Sequence, residues 1–177
     1  MIFQRLLRGG QAPAAGARLY ASAVAQARDP GLYAGLGAPD TPDGRFELYT
    51  LHVLLLIERL RAGGKATAST SQALFDTYLS GLDHGLRELG VGDLSVGKTM
   101  RKLGEAFYGR ARTFDAAVKA LPDRAPLEQM LHRTVYDGAA AVDAGPLATY
   151  VLAAREALAD ASIEVLMDAA IDWPEVA

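Results

Sequence analysis

Apolar residues recur along this chain at spacings of three and four. One series runs Leu74, Phe75, Tyr78, Leu79, Leu82, Leu86 and Leu89. A second runs Val96, Met100, Leu103, Phe107, Phe114, Val118 and Leu121. At about 100° per residue each series falls on one side of an α-helix. Leu89-Gly90-Val91-Gly92-Asp93 between them is a Gly-rich turn, with Asp93 positioned to cap the second arm. Neither stripe can be buried by a lone helix. The stretch Gln72–Arg112 therefore predicts an αα-hairpin around which the other helices gather, with Gly90, Gly92, Asp93 and Gly97 as its structural turn.

The remaining pattern is also helical. Residues 1–12 read as a flexible basic-apolar tail, and 13–177 as a single helical domain. A lesser reading of the tail puts Ile2, Phe3, Leu6 and Leu7, with Arg5 and Arg8, on a membrane surface. A first helix is expected from Pro13 to Asp29, with Leu19, Tyr20, Val24 and Ala27 on its apolar side, then a helical turn ending at Gly37. Thr41 and Pro42 form an N-cap and first helical position. The helix they open, Pro42 to Ala62, is the most apolar. Phe46, Tyr49, Val53, Leu56, Ile57 and Leu60 make one face, and Leu48, Leu51, Leu54 and Leu55 cover much of the rest. Such a helix sits centrally in a bundle or offers its spare face to a partner.

Gly63 to Thr70 reads as a flexible connector, with a capping box at Ser69-Thr70-Ser71-Gln72. Asp83 and Arg87 are spaced to pair across one helical turn. Pro122 to Pro126 breaks the chain before a short helix, Leu127 to Tyr136, and Pro146 opens a last one. Trp173-Pro174 sits in an extended tail, with Trp173 as a plug over a groove. The fold class is all-α, a single compact bundle of about six helices around the hairpin.

Composition narrows the function. With 177 residues, 50% of them apolar, one domain with a sizeable core is expected. The absence of Cys excludes disulfides, thiolate metal sites and a Cys nucleophile. A net charge of -3 argues against general nucleic-acid binding. The longest apolar run, Leu51 to Ile57, is interrupted by His52 and falls short of a membrane span.

One word suggests chemistry. Gly92-Asp93-Leu94-Ser95-Val96-Gly97-Lys98-Thr99 matches the P-loop pattern, in which backbone N–H groups and a Lys hold phosphates. That geometry needs a strand before the loop, and an amphipathic helix precedes it here. His52, His84 and His132 lie on separate predicted helices and lack metal-ligand spacing. Asp76 and Asp83 share a helix side without forming an acid/base pair. No catalytic residue, metal or cofactor is expected. A basic face of Lys98, Arg101, Lys102 and Arg112, with Glu105 among them, lies opposite the apolar stripe of the second arm.

A set of words resembles a known family. These are Gln72-Ala73-Leu74-Phe75-Asp76, then Leu82-Asp83-His84-Gly85-Leu86-Arg87-Glu88-Leu89-Gly90-Val91-Gly92-Asp93, Val96-Gly97-Lys98 and Ala106-Phe107-Tyr108-Gly109-Arg110. Upstream, Leu36 to Glu47 and Leu51-His52 belong to the same set. Together, from about Leu19 to Asp115, they resemble the ubiquinol–cytochrome c chaperone family; after Pro122 the likeness is loose. Fewer than about 20 residues precede the family-like region, so the basic N-terminal segment is short for a presequence. The chain resembles bacterial, alphaproteobacterial-type members.

The resemblance implies a non-enzymatic assembly factor that binds newly made cytochrome b and helps it enter the cytochrome bc complex, respiratory complex III. It implies action in the cytoplasm, at the inner-membrane face. The candidate client-binding residues are Leu48, Leu51 and Leu55 on the spare helix face, and Lys98, Arg101, Lys102 and Arg112 on the basic face. Asp76, Asp83, Arg87, Tyr108 and Arg110 join them from the family-like words. A small partner subunit, the ribosome and an anionic membrane surface are further candidate partners, and no specific nucleic-acid sequence is expected. The alternatives are nucleotide binding at Gly92–Thr99 and a helical adaptor for another client.

Overall fold

In the computed structural model, which describes residues 2–88 and 90–176, helices follow one another in chain order. They are α1 (Ile2–Gln26), α2 (Pro30–Ala34), α3 (Pro42–Ala62), α4 (Ala68–Glu88), α5 (Asp93–Lys119), α6 (Ala125–Thr134), α7 (Gly145–Asp160) and α8 (Ile163–Met167). A 3₁₀ turn, Gly64–Ala66, joins α3 to α4. No strand occurs among the described residues.

The caps explain the sharpest boundaries. Thr41 Oγ1 accepts the Gly44 N–H at 3.1 Å, and Pro42 opens α3. Asp29 Oδ1 accepts the Gly31 N–H at 2.8 Å, with Pro30 opening α2. Each satisfies an N–H that has no intrahelical partner. Ser162 does the same for α8, so α7 ends at Asp160 and a separate short helix follows.

α3 is the most enclosed element. Leu48, Val53, Leu56 and Leu60 are wholly buried, and Leu51, Leu54, Leu55 and Ile57 nearly so. α1, α4, α5 and α7 pack around it. The spare face expected at Leu48, Leu51 and Leu55 is therefore part of the core. A helix apolar all round leaves water only by being covered all round.

The hairpin forms, with its arms antiparallel. The Gly90 N–H bonds Arg87 O at 3.0 Å and the Val91 N–H bonds Leu86 O at 3.1 Å, the paired closure of a Schellman turn. Gly90 takes φ 79°, which a glycine adopts without steric cost. The cap position of α5 falls on Gly92, and Asp93 is its first helical residue. Gly97 lies one turn inside α5, outside the corner. The arms meet through Phe75 and Phe107, whose ring centroids are 4.9 Å apart.

Four expectations are corrected. α1 is helical from Ile2, with Pro13 inside it; the surface-binding reading of the tail concerns side chains outside the described residues. Its buried seam is Ala12, Ala15, Leu19, Ala23 and Ala27, while Tyr20 and Val24 are half-buried. The connector 63–70 is ordered: Thr67 is buried and its hydroxyl donates to Leu60 O. α4 begins at Ala68, so Ser69 to Gln72 lies within its first turn rather than capping it.

Small residues set the α1–α4 distance. A Cβ on Gly16 would stand 2.7 Å from the Ala73 backbone, whereas nothing lies within 4 Å of one on Gly97 or Gly104. Gly16→Ala is expected to cost about 1–3 kcal/mol through overpacking. Gly97→Ala and Gly104→Ala are each expected to add about 0.5–1 kcal/mol through helix propensity. Urea denaturation of the three variants checks the sign of each.

Candidate functional site

The outward side of α5 combines charge with an exposed ring. Lys98, Arg101, Lys102, Glu105, Tyr108 and Arg112 fall within one helical face, and all six are exposed. Among the described residues, none of the four cations has an acidic partner within ion-pair distance. With Glu105 the face carries net +3, in a chain whose total is -3. Charge is therefore segregated, and the surface away from α5 is the acidic one.

Tyr108 interrupts this charge. It is 59% exposed, the most of any large apolar side chain described. Its ring lies 5.8 Å from Phe75 and 5.9 Å from Phe107. Phe107 in turn sits 5.3 Å from Tyr78, which is fully buried. An aromatic series thus leads from the core to solvent. Beside it a cleft of about 350 Å³ opens between the start of α4 and the middle of α5, lined by Arg61, Ala68, Gln72, Phe75, Phe107 and Tyr108. Arg61 is held there by Asp115 at 3.3 Å. Phe75 and Phe107 were legible only as core positions, because their stripe does not reveal where a helix face runs out of neighbours.

The other candidates separate by environment. Arg110 reaches back to Glu47 of α3 with both arms of its guanidinium, Nε lying 2.6 Å from Oε2. It stands over the Phe46 ring at 5.4 Å. The hydrogen bond it donates to the Glu47 carboxylate raises its pKa above the usual arginine value. Arg110 therefore braces α3 against α5. Asp83 and Arg87 make the expected pair at 2.8 Å. Asp76 accepts a bond from Gln72 at 2.8 Å on the exposed side of α4. Leu48, Leu51 and Leu55 are inaccessible to any client in this fold.

The P-loop-like word does not form a phosphate cradle. From Asp93 onward its residues are α-helical, and the element before the corner is α4, not a strand. The backbone N–H groups around Gly97 are turned into the helix ladder, not toward a ligand. The histidines stand apart, and no metal-binding cluster occurs among the described residues. His84 lies 3.2 Å from Glu88, and His132 Nε2 lies 2.9 Å from Ala139 O.

His52 is fully buried on α3. Its Nδ1 is 2.8 Å from Leu48 O, and a carbonyl only accepts, so Nδ1 carries the proton. Nε2 then accepts from the Tyr150 hydroxyl at 2.7 Å. The edge of Trp173 closes over the imidazole at a centroid distance of 5.3 Å, and the Trp173 indole N–H donates to Ser22 Oγ at 2.9 Å. Trp173 is thus the plug its extended setting suggested. Its partner Ser22, on α1, carried no signal in the sequence.

Known proteins place this arrangement. The sequence profile described as Ubiquinol-cytochrome C chaperone matches residues 34–173. A crystal structure of the Cbp3 homolog from Brucella abortus is similar with a TM-score of 0.85 and 36% identity, covering 99% of this chain and 98% of that one. No curated protein matches. The chain belongs to the ubiquinol–cytochrome C chaperone family. The match takes in α6, α7 and α8, beyond the Pro122 limit expected from the sequence words.

Burial of His52 gives a pH prediction. Desolvation lowers its pKa from 6.5 to about 4, so the folded state disfavours the imidazolium that the unfolded chain accepts. Stability from this group is complete above pH 6.5 and is lost as pH falls toward 4. Between pH 7 and 5 the loss is about 2 kcal/mol. Urea midpoints at the two pH values should show it, and His52→Gln should flatten the difference.

Proposed function

We propose that this chain is an assembly chaperone that holds newly made cytochrome b and assists its entry into ubiquinol–cytochrome c reductase. Family membership supports the class, and favours binding over catalysis. The single structural observation that carries the reading is Tyr108, exposed beside an aromatic cleft on the helix face that carries Lys98, Arg101, Lys102 and Arg112. Cytochrome b is a bundle of apolar membrane helices. Before assembly such a client needs apolar surface covered and its polar loops held. The Phe75–Phe107–Tyr108 cleft offers the first, as an aromatic anchor of the kind that dominates binding energy. Lys98, Arg101, Lys102 and Arg112 offer the second, through complementary charge.

The place of action is the cytoplasmic face of the inner membrane. No helix among the described residues is long and apolar enough to cross a membrane, which agrees with binding at a surface. The cleft serves in place of a groove on α3, whose Leu48, Leu51 and Leu55 face is closed. A small partner subunit and the ribosome are compatible with the same exposed face.

The test is recovery of tagged cytochrome b by the chain and its variants. Tyr108→Ser should weaken capture about tenfold, a hot-spot loss of roughly 1.4 kcal/mol. Arg101→Glu with Lys102→Glu should lower recovery further at low salt than at high salt, because exposed charges are screened. Both sets are exposed, so unfolding free energies should move by less than about 0.5 kcal/mol. Full recovery by both variants would remove this face from the binding site. Normal complex III in a strain lacking the chain would overturn the proposed role.

A further inference from the structure

The segment after α8, residues 168–176, crosses α1, α2 and α3 without regular secondary structure. Trp173 anchors it, with the indole N–H on Ser22 Oγ at 2.9 Å and the ring edge over His52. The Gln26 amide reaches Pro174 O at 3.5 Å. Val176 lies on α2 so closely that a Cβ built on Gly31 would stand 2.6 Å from its carbonyl oxygen. Ile171, Trp173 and Val176 pack against the buried core. Yet among the described residues no backbone–backbone hydrogen bond joins residues 171–176 to a helix.

From residue 171 onward the strap is therefore held through side chains, over a slot that is already built. Its floor is His52 with Tyr150, its wall is Ser22 and Gln26 of α1, and its far end is the bare backbone of Gly31. Two polar groups meet the occupant: Ser22 accepts from an aromatic N–H, and Gln26 donates to a main-chain carbonyl. The close approach at Gly31 suits a single extended chain. An α-helix, about 10 Å across, is too wide for it.

We infer that this slot is a second client-binding site, which residues 168–176 fill in the resting chain and vacate for an extended apolar polypeptide segment that sets an aromatic side chain in the place of Trp173. The inference rests on the chaperone reading above and adds a second point of contact to the Tyr108 face. A tethered strap competes at an effective concentration in the millimolar range. A client held at the α5 face is raised to a comparable local concentration and displaces it.

Locking the strap tests this. Cβ atoms at positions 31 and 176 lie 2.7 Å apart, so a shift of about 1 Å gives the roughly 3.8 Å of a disulfide. The chain has no cysteine to compete, so Gly31→Cys with Val176→Cys pairs cleanly. The oxidised pair should recover cytochrome b at least fivefold less than the same pair reduced. In parallel, a fluorescein-labelled peptide with the sequence of residues 168–177 should bind full-length Trp173→Ala at least tenfold more tightly than the native chain. If Trp173→Ala fails to fold, Trp173→Phe, which keeps a ring in the strap and removes the indole N–H, takes its place.

The inference is overturned if the oxidised and reduced pairs recover client equally. It is equally overturned if the peptide fails to distinguish a folded strap variant from the native chain. If the native chain itself recovers no client while the peptide still discriminates, the slot stands as a peptide site and the cytochrome b reading falls.

Discussion

An α-helix apolar on all sides cannot rest against water on any of them, and α3 is such a helix. Its burial decides where every other long helix goes. Apolar contact alone would allow those neighbours to slide, and the polar side chains of α3 remove that freedom. Glu47 takes the Arg110 guanidinium of α5, and Thr50 shares a 2.8 Å hydrogen bond with Tyr78 of α4. His52 takes the Tyr150 hydroxyl of α7. Glu58 pairs with Arg155 at 2.7–2.8 Å, and Arg59 donates to Leu158 O and Ala161 O at the end of α7. Each bond is long-range, and each would leave a desolvated polar group behind if the register slipped.

The same packing separates structural charge from available charge. Arg110 and Arg112 are two residues apart on α5 and similar in sequence setting. One points inward to Glu47 and the other outward to solvent, because two residues on a helix turn the side chain by about 200°. The cations left outside share their face with Tyr108. The core thus uses the charges it can satisfy and leaves a net-positive face with one large ring exposed, on a chain that is acidic overall. On the far side, α3 is finished at His52 by a strap and not by another helix, with Trp173 seated against the imidazole.

Much of the fold was readable from local rules. Thr41-Pro42 and Asp29-Pro30 marked helix starts because caps and proline act within one turn of backbone. The hairpin corner was readable because Gly90 adopts a conformation that disfavours other residues. The family-like words were readable as a set. Residue 67 was not: a threonine in a Gly-Lys-Ala-Thr connector becomes an ordered joint only because Leu60 O lies within reach of its hydroxyl. Nor was the α1–α4 seam, where Gly16 lies against the Ala73 backbone and Tyr20 against Gly81 of α4, since close helix approach rewards small residues on one side or the other.

By itself the sequence determined the all-α class, most helix boundaries, the charged face of α5 and the family to which the chain belongs. These depend on periodicity and on capping, both of which act over a few residues. Tertiary structure alone decided that Leu48, Leu51 and Leu55 are core, that Arg110 is a brace, that Tyr108 stays in solvent and that Trp173 seals His52. Each of those outcomes depends on a partner many residues away in the chain, and burial is a property of the neighbours a side chain acquires, not of the side chain itself.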